Sequence, residues 1–350
     1  MCIRDRHRPV PSRAALASRD PKKLLEPLRQ PLHAELDGIA VTYVPFVAPP
    51  RSRSYQHWGA WAAPSLALAL RRLNRSFPLD LVHAHYAAPA GDAVRRARTH
   101  TPVVVSVHGG DVLSVVHRPG GRALVTKALQ NATIVLANSH GTEAKARELG
   151  AVNTRVVHLG TDVPPQRSSE PGRPTVLTVG HLVARKRHAD VLRALWLLRE
   201  DHPDLHWVVV GDGPERPALE RMAGELDLAN RVDFKGELPP AEVRQQATVF
   251  ALPSVDEAFG VAYIEAMAAG VPAIGCRGEA GPEEIAASGG GIGLVAPGDP
   301  ESLAAEIGRL LGDAAWRREL GDAGRATVER AFTWEACGRA TVAAYQEALR

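Results

Sequence analysis

Two glutamates with seven residues between them frame the segment richest in candidate chemistry, residues 253–272. Glu257 precedes a short stretch rich in Ala, Ile and Met that predicts a helix, Glu265 lies inside it, and Gly270 ends it. Backbone N–H groups at a helix start form a natural anion site, here supplied by Phe259, Gly260 and Val261. Carboxylates on both sides of a phosphate site match the sugar hydroxyls, diphosphate and ribose of a nucleotide sugar. Either glutamate alone is more simply explained by its interaction with the helix dipole.

A basic loop, residues 180–187, supplies the second candidate set. It carries Arg185, Lys186 and Arg187 directly beyond a predicted strand. A diphosphate that leaves a sugar needs fixed positive charge where the negative charge develops, and this loop can provide it. The alternative is a solvated basic loop ahead of the next helix.

The elements that position these residues follow a regular alternation. Short β-branched runs alternate with stretches rich in Ala, Leu and Arg, which predicts parallel sheets covered by helices. The unusual polar clusters directly follow predicted strands, where open α/β sheets bind their ligands. We therefore predict an α/β protein of two doubly wound, Rossmann-like domains whose strand ends face each other across a cleft.

The length of 350 residues and a proline-rich break indicate the domain boundaries. Residues 164–174 are polar and rich in proline, so neither a helix nor an inner strand crosses them, and we interpret them as a linker. The first domain is predicted over residues 1–163 and the second over 175–332. Residues 333–350 are predicted to form a helix, and its packing against the first domain is left open.

The segment from Glu257 to Glu265, Glu-Ala-Phe-Gly-Val-Ala-Tyr-Ile-Glu, resembles the E-x7-E motif of retaining glycosyltransferases of family 4. The resemblance extends over nearly the whole chain from Leu81 onward and implies the GT-B architecture. It implies that Glu257 contacts the hydroxyls of the donor sugar and that Glu265 contacts the ribose. Phe259 and Gly260 would face the sugar and the diphosphate, and Val261 lies beside them.

The basic loop departs from the family pattern at two positions. The usual form is G-R-L-x-x-x-K-G, and Lys186 matches its lysine, which holds the diphosphate. His181 stands where the arginine is expected, and Arg187 replaces the glycine. Histidine cannot form an arginine's bidentate fork and is neutral or charged depending on pH. Whether Arg185 or Arg187 compensates for His181 is left open.

Three further segments resemble family motifs. His108-Gly-Gly-Asp111 is similar to the motif that contacts the transferred sugar and the acceptor, which implies binding roles for His108 and Asp111. Asp80 to His85 also resembles a family segment, and we expect one of its two histidines, His83 or His85, in the core. Glu284 is the counterpart of a family glutamate with a supporting donor-site role, and a helix-start carboxylate without a ligand is the equal alternative.

The resemblance implies transfer of a glycosyl group from a nucleoside-diphosphate sugar to an acceptor hydroxyl with retention of configuration, in envelope polysaccharide or glycolipid synthesis. His108, Lys186 and Glu257 would act by positioning and electrostatics, without an assigned base. A non-catalytic nucleotide-sugar-binding or partner subunit stays open, because of His181 and because nothing before Ile39 resembles the family's first strand and glycine-rich loop, which we expect to be missing or divergent. An epimerase is a further alternative. A dinucleotide oxidoreductase is not favoured, because this chain lacks the complete glycine fingerprint that such an enzyme needs.

Composition limits cofactors and location. Cys2, Cys276 and Cys337 are widely spaced and odd in number, which favours a reducing cytosol over a disulfide framework or a metal site. We expect no metal and no cofactor beyond the donor co-substrate, and as partners a nucleotide sugar and a glycan or lipid-linked acceptor, without nucleic acid. The tryptophan-containing basic segment 51–77 has two interpretations, a helix lying peripherally on the inner face of the membrane or a core-facing helix with a solvated basic edge.

Overall fold

The computed structural model describes residues 32–49, 54–166, 171–238 and 246–350. Residues 1–30 lie outside this range, so the structure does not test whether the family's first strand and glycine-rich loop are missing there. Residues 167–170 of the predicted linker also lie outside it. Contacts divide the chain into two compact units. Unit 1 comprises Met1–Asn138, Thr142–Val156 and Val342–Arg350, and unit 2 comprises Ser139–Gly141 and Val157–Thr341.

Unit 1 begins, in its described part, with an antiparallel hairpin of strands β1 (His33–Leu36) and β2 (Ile39–Thr42). Asp37 and Gly38 both have positive φ, 52° and 77°, which is the backbone of a tight two-residue hairpin turn. The run from Ile39 to Phe46 predicts a strand of the parallel sheet, and this prediction is wrong, because the strand covers Ile39–Thr42 and pairs antiparallel with β1.

The main sheet of unit 1 contains four parallel strands in chain order, namely β3 (Val82–His85), β4 (Val103–Val107), β5 (Ile134–Ala137) and β6 (Thr154–Val156). Every residue of β4 and β5 is buried, because helices cover a parallel sheet on both faces. The longer helices are α1 (Trp58–Ser76), α2 (Asp92–Ala97), α3 (Gly121–Gln130) and α4 (His140–Glu148), and the first two residues of α4 belong to unit 2. Leu66 and Leu70 of α1 pack in the core with Val105 and Val107 of β4.

The sheet of unit 2 contains six parallel strands in the order β12-β11-β10-β7-β8-β9. They are β7 (Thr175–Val179), β8 (His206–Val210), β9 (Val232–Gly236), β10 (Val249–Ala251), β11 (Ala273–Cys276) and β12 (Ile292–Val295). The chain adds strands on one side of β7 and then, from β10, on the other. This is the doubly wound order, and its topological switch point lies between β7 and β10.

Helices cover both faces of this sheet. They are α5 (His188–Leu197), α6 (Arg216–Glu225), α7 (Val261–Ala268), α8 (Ala280–Ser288), α9 (Pro300–Gly312) and α10 (Ala314–Ala331), and helix α11 (Trp334–Ala348) follows them in the chain. The neighbouring residues Val176 and Leu177 of β7 enter different apolar clusters, one containing Trp207 and the other containing Phe332. The predicted α/β class with Rossmann-like units is confirmed.

The end of helix α11 belongs to unit 1. The hydroxyl of Tyr345 lies 2.6 Å from Nδ1 of His83 in strand β3. Nε of Arg155 donates to Oε2 of Glu347 over 3.0 Å. Across the described ranges, no helix combines the length and the apolar character needed to cross a membrane.

Candidate functional site

The loops after β7 and β10 meet at the switch point of unit 2. The amide of Val255 donates to the carbonyl oxygen of Arg185 over 2.8 Å, which joins the two loops through their backbones. Beside this bond, Nζ of Lys186 donates a short hydrogen bond to Oε2 of Glu257. Lys186 is 9% exposed and Glu257 is 8% exposed, so the two opposite charges form an ion pair that is largely removed from water.

The carboxylate of Glu257 is held through one of its oxygens. Oε2 also accepts a hydrogen bond from Oγ of Ser254 over 2.8 Å, and this Oγ lies 3.1 Å from the hydroxyl of Tyr263. The Tyr263 hydroxyl donates to the carbonyl oxygen of Leu252 over 2.5 Å. Burial, together with the Glu257 charge, raises the pKa of Tyr263 well above its usual value, so the phenol keeps its proton. These contacts use Oε2, and no hydrogen bond from a described residue to Oε1 is found.

The backbone of the Glu257 loop is held by the start of helix α8. The amide of Glu257 donates to Oε2 of Glu279 over 2.8 Å. A Cβ at Gly281 would lie 2.2 Å from the carbonyl oxygen of Phe259, so only glycine allows α8 to approach the loop this closely. Sequence reasoning missed the role of Glu279, although an acidic residue immediately before a predicted helix was the available signal.

The start of helix α7 provides the predicted anion site. Gly260 precedes the helix with φ of 90° and ψ of 62°. Outside the helix, no hydrogen bond from the amides of Phe259, Gly260 or Val261 to another described residue is found. These donors can serve a ligand, and their dipoles favour a negative charge.

The side chain of Phe259 does not face the sugar and the diphosphate as predicted. The ring is only 1% exposed and stacks on His158, with centroids 5.6 Å apart and an interplanar angle of 17°. It also makes an edge contact with Phe332 at 5.6 Å. The ring is therefore part of the core, and only the backbone of Phe259 remains a candidate for facing the sugar and diphosphate.

The other predicted donor-site residues of the β7 and β10 loops lie at differing degrees of exposure. Glu265 is partly buried on α7, and its contact with the ribose stays a prediction. His181 is exposed, and so is Arg185, whose Nη1 lies 3.4 Å from the carbonyl oxygen of Asp256. Arg187 donates through Nε to Asp190 over 2.5 Å, which already partners its charge. Whether Arg185 or Arg187 compensates for His181 stays a prediction.

Glu284 has protein partners for both carboxylate oxygens. Oε1 lies 2.6 Å from Nε2 of His158, and Oε2 accepts from the amide of His140 over 2.9 Å, all within unit 2. Because His158 stacks on Phe259, this carboxylate supports the core beneath the Glu257 loop. The structure favours the alternative without a ligand, and the donor-site role stays a prediction.

The predicted acceptor-side residues lie together in unit 1. Asp111 is fully buried, and its oxygens accept from the amides of Ala87 over 2.8 Å and of His108 over 3.1 Å. Burial raises the pKa of Asp111 against the opposing effect of these hydrogen bonds. The carboxylate connects the turn after β4 to the loop after β3, so Asp111 positions His108. Because Asp111 is fully buried, it has no exposed surface that could contact a donor sugar, and the prediction that it binds the donor is not supported.

His83 and His85 lie on the same side of strand β3, where His83 is partly buried and His85 is exposed, so the expectation that one of them belongs to the core was wrong. Residues two apart in a strand share a face. Their rings stack with centroids 4.3 Å apart, and His85 stacks on His108 at 5.3 Å. Burial and the neighbouring imidazoles lower the pKa of His83 to about 3, and burial also lowers the pKa of His108. The imidazoles are therefore neutral near pH 7.

The described residues contain no group of three His, Cys, Asp or Glu side chains placed to hold a metal ion. The expectation that the reaction uses fixed cations and helix dipoles in place of a metal stays a prediction.

Comparisons with known proteins agree with this geometry. Residues 162–327 match the family described as "Glycosyl transferases group 1", and residues 16–164 match "Glycosyltransferase Family 4". The chain is 30% identical over 304 residues to the GDP-mannose-dependent alpha-(1-6)-phosphatidylinositol monomannoside mannosyltransferase of Mycolicibacterium smegmatis, over 79% of this chain and 78% of that protein. It is also 30% identical over 329 residues to the D-inositol 3-phosphate glycosyltransferase of Nocardia farcinica, over 82% of this chain and 71% of that protein.

A solved structure extends the likeness to the fold. Sucrose-phosphate synthase from Thermosynechococcus elongatus is similar with a TM-score of 0.76 and 25% identity, over 91% of this chain and 86% of that chain. The motif around Glu257, the switch-point geometry and the sequence relatives all lead to the same family. The chain belongs to the group 1 glycosyl transferases, glycosyltransferase family 4, and is a glycosyltransferase of the GT-B fold class.

Proposed function

We propose that unit 2 binds a nucleoside-diphosphate sugar at the Lys186–Glu257 pair and that the chain transfers the sugar to an acceptor hydroxyl with retention of configuration. The observation that carries the proposal is the contact between Lys186 and Glu257 at the switch point between β7 and β10. This is where doubly wound sheets bind nucleotides. Lys186 contacts the loop that leads into helix α7, so in the proposed site the lysine and the amides of the helix start both favour the diphosphate.

Each charged group has a distinct part in the proposed reaction. The bond between the anomeric carbon and the phosphate oxygen breaks, and the acceptor oxygen bonds to that carbon on the same face. The departing phosphate oxygen takes the proton of the acceptor hydroxyl, and Lys186 neutralises the charge that develops there. Oε1 of Glu257 accepts from a sugar hydroxyl, Glu265 holds the ribose, and His108 contacts the transferred sugar.

The test is a binding and turnover experiment with a panel of UDP-, GDP- and ADP-sugars. We expect Glu265→Ala to weaken donor binding by about tenfold or more, since hydrogen bonds to a charged group contribute about 1.5–3 kcal/mol. We expect Glu257→Gln to lower kcat with a smaller effect on donor affinity, because its contacts strengthen in the transition state. Glu225→Ala, on the exposed side of α6 in the same unit, is the matched control.

The panel also separates the alternative functions. Unchanged donor affinity in Glu265→Ala would remove Glu265 from the site. Donor binding without turnover in acceptor extracts would favour a non-catalytic nucleotide-sugar-binding subunit. A new isomer of the donor, formed without an acceptor, would indicate an epimerase.

The proposed acceptor is a glycan or a lipid-linked glycan used in envelope polysaccharide or glycolipid synthesis. Its support is the family and the name of the mycobacterial relative, which acts on a phosphatidylinositol mannoside. Specificity for base, sugar and acceptor depends on pocket shape, so the same donor panel followed by product analysis identifies them.

We further propose that helix α1 rests peripherally on an anionic membrane surface. One of its faces packs in the core, which matches the second interpretation of this segment. The opposite face exposes Trp61 by 53% and Leu68 by 50%, and Phe77 just beyond the helix is 64% exposed. Three exposed arginines, Arg71, Arg72 and Arg75, lie towards its C-terminal end, and the helix contains no acidic residue. Exposed apolar side chains together with cations are typical of a helix that lies in a membrane interface.

A second basic segment borders the same helix. Gly120 lies against His57 at the start of α1, since a Cβ at Gly120 would be 3.2 Å from Cε1 of His57. Arg118 and Arg122 flank this glycine, and both are exposed. Cations therefore lie at both ends of α1, which extends the surface that an anionic membrane would attract.

Vesicle flotation tests this surface. Vesicles containing phosphatidylglycerol should retain the protein more strongly than vesicles of phosphatidylcholine, and the Arg71→Gln, Arg72→Gln, Arg75→Gln variant should lose most of this difference. The control variant Arg221→Gln, Arg318→Gln, Arg350→Gln removes the same charge elsewhere and should bind as the wild type does. Equal binding to both vesicle types, or an unaffected α1 variant, would contradict the proposal.

A further inference from the structure

Two histidines of unit 1 share a hydrogen bond that the family resemblance does not address. Nδ1 of His85 lies 3.1 Å from Nε2 of His108, and the two rings are nearly parallel, with an interplanar angle of 20°. Each nitrogen of a neutral imidazole is either a donor or an acceptor, so the contact between these two nitrogens holds a single proton. The tautomer of one ring therefore dictates the tautomer of the other.

We propose that His85 is a positioning residue that fixes the ring orientation and the tautomer of His108. When His85 donates through Nδ1, His108 carries its own proton on Nδ1 and presents a donor there. When His108 donates through Nε2, its Nδ1 is a bare acceptor. Whether His108 offers the sugar or acceptor a donor or an acceptor at Nδ1 thus depends on His85.

Among the described residues, His85 is the polar side chain that contacts the ring of His108. The backbone of His108 is tied to the buried Asp111 by the 3.1 Å hydrogen bond from its amide. The Tyr86 ring packs against the imidazole of His108 at 4.8 Å with a tilt of 49°, which restricts the ring without choosing a tautomer. The hydrogen bond between His85 and His108 links the tautomers of the two rings, which packing alone cannot do.

His85 is itself supported from its other side. His83 stacks on it at 4.3 Å, and Nε2 and Nδ1 of His83 lie 2.7 Å from Oγ of Ser106 and 2.6 Å from the Tyr345 hydroxyl. With both nitrogens engaged, His83 is a fixed surface against which His85 is held. The arrangement runs from helix α11 through the β3 histidines to His108.

The protonation state of the pair decides whether the contact survives. The titratable groups around it are His83, Asp111, Tyr86 and Tyr345, and burial together with His108 lowers the pKa of His85. One proton between two neutral rings makes the hydrogen bond. Two protonated rings would present donors to each other and lose it. Positioning by His85 therefore weakens in acid, well below neutral pH.

The functional consequence rests on the proposed role of His108 in transfer. A ring that is free to rotate or to change tautomer spends less time in the productive geometry, and small misplacements of catalytic groups lower rates by up to about 100-fold. We expect His85→Phe to lower kcat by about tenfold while donor affinity, which in the proposed site depends mainly on the diphosphate and ribose contacts of unit 2, stays within about twofold.

The experiment compares His85→Phe, His85→Asn and His100→Phe in the full chain. Asparagine places an amide near the position of Nδ1 and should restore most of the lost kcat, whereas phenylalanine cannot. His100 is an exposed histidine of the same unit and serves as the control. Long-range proton–nitrogen NMR spectra of histidine-labelled protein report which nitrogen of His108 carries the proton. We expect one dominant tautomer in the wild type and in His85→Asn, and a mixture in His85→Phe.

The NMR and kinetic readouts separate the two possible failures. Unchanged ring nitrogen signals of His108 in His85→Phe would overturn the positioning role of His85. Full turnover in His108→Gln would instead remove the proposed role of His108, while the NMR comparison would still decide whether His85 sets its tautomer. Loss of kcat in both His85→Phe and His85→Asn, without a change in the His108 signals, would also contradict the proposal.

Discussion

Lys186 and Glu257 are charges that the fold holds largely out of water, and function explains their burial better than stability does. An ion pair that leaves water loses hydration, and the attraction between its partners often does no more than offset this loss. An apolar pair of similar size would stabilise a core at least as well. The cost is understandable where a lysine must stay dry and fixed until a diphosphate arrives, since electrostatic stabilisation is strongest at a preorganised site.

Gly260 provides a prediction at the residue scale. A Cβ at this position would lie 2.3 Å from Cδ2 of Tyr263, whose ring is fully buried, and φ of 90° disfavours any side chain. We expect Gly260→Ala to lower the free energy of unfolding by about 2 kcal/mol or more and to weaken donor binding, because the start of α7 must shift. Thermal unfolding and donor titration measure the two effects.

Gly224 is the matched control for this change. It lies in helix α6, and a Cβ there meets no atom within 4 Å. Gly224→Ala should therefore stabilise the chain by about 0.5–1 kcal/mol and leave donor affinity unchanged. Equal stability of Gly260→Ala and the wild type would show that the approach of Tyr263 to Gly260 is not required.

The sequence predicted these candidate residues unevenly. That Lys186 and Glu257 follow strands could be inferred from the chain, because polar clusters after β-branched runs share one edge of a parallel sheet. Their direct contact could not, since it depends on β7 and β10 being neighbours. The partners of Glu284 were equally out of reach, because His158 and His140 lie 126 and 144 positions away along the chain.

At the scale of elements, prediction succeeded where a run is buried on both faces. The sequence predicts strands at Val103–Val107, Ile134–Ala137 and Thr175–Val179, and β4, β5 and β7 have these bounds. Continuous apolar residues between polar turns have one favourable placement. The hairpin β1–β2 was missed, although Asp37-Gly38 is a turn dipeptide with a known backbone preference. Its strand residues are mostly exposed, so no continuous apolar run marked the pair.

Helix α5 begins with a buried histidine that makes the stability of unit 2 depend on pH. His188 is 2% exposed, and neither ring nitrogen has a hydrogen-bond partner in the described structure. Burial, with smaller effects from Lys186 and His181, lowers its pKa from 6.5 to about 4. Between these values the unfolded chain binds more protons than the folded one. The contribution of neutral His188 to the free energy of unfolding is therefore fully present above pH 6.5 and is lost as the pH falls towards 4.

We expect replacement of His188 to remove this part of the acid sensitivity. Between pH 7 and pH 5 the free energy of unfolding of the wild type should fall by about 2 kcal/mol because of this residue. This part of the fall should be absent in His188→Leu and His188→Phe. Denaturant unfolding at the two pH values, followed by tryptophan fluorescence, measures the difference. His202→Leu, at a partly exposed position of the same unit, should keep the pH dependence of the wild type. An unchanged dependence in both His188 variants would contradict the assignment.

At the scale of the whole molecule, the chain is two units that carry different parts of the candidate chemistry. Unit 2 holds the complete Lys186–Glu257 site, and unit 1 holds His108 with its supporting histidines. Lys186, Glu257 and His108 follow strands of their own sheets, whereas His83 and His85 lie within β3, at its carboxyl end. The end of α11 is the exception to this simple division, because the last residues of the chain return to the first unit.

Removal of residues 342–350 should therefore destabilise unit 1 and leave donor binding intact. In this segment Ala344 and Ala348 are buried, and Tyr345 contacts His83 of β3. Removal of the segment therefore exposes the β3 edge of the main sheet of unit 1. We expect truncation after Thr341 to lower the free energy of unfolding of unit 1 by about 1–3 kcal/mol. Calorimetry measures this loss, and titration with the donor should give an affinity within about twofold of the wild type.

Glu347→Gln separates the ion pair from the rest of this segment. Arg155 and Glu347 are 47% and 36% exposed in their side chains, so the substitution should cost at most about 1 kcal/mol, in the usual range of exposed pairs. Truncation should therefore be more damaging than loss of the ion pair. Equal effects of the two changes would show that the buried alanines and Tyr345 contribute little. Loss of donor binding in the truncated chain would show that unit 2 depends on unit 1 for its fold.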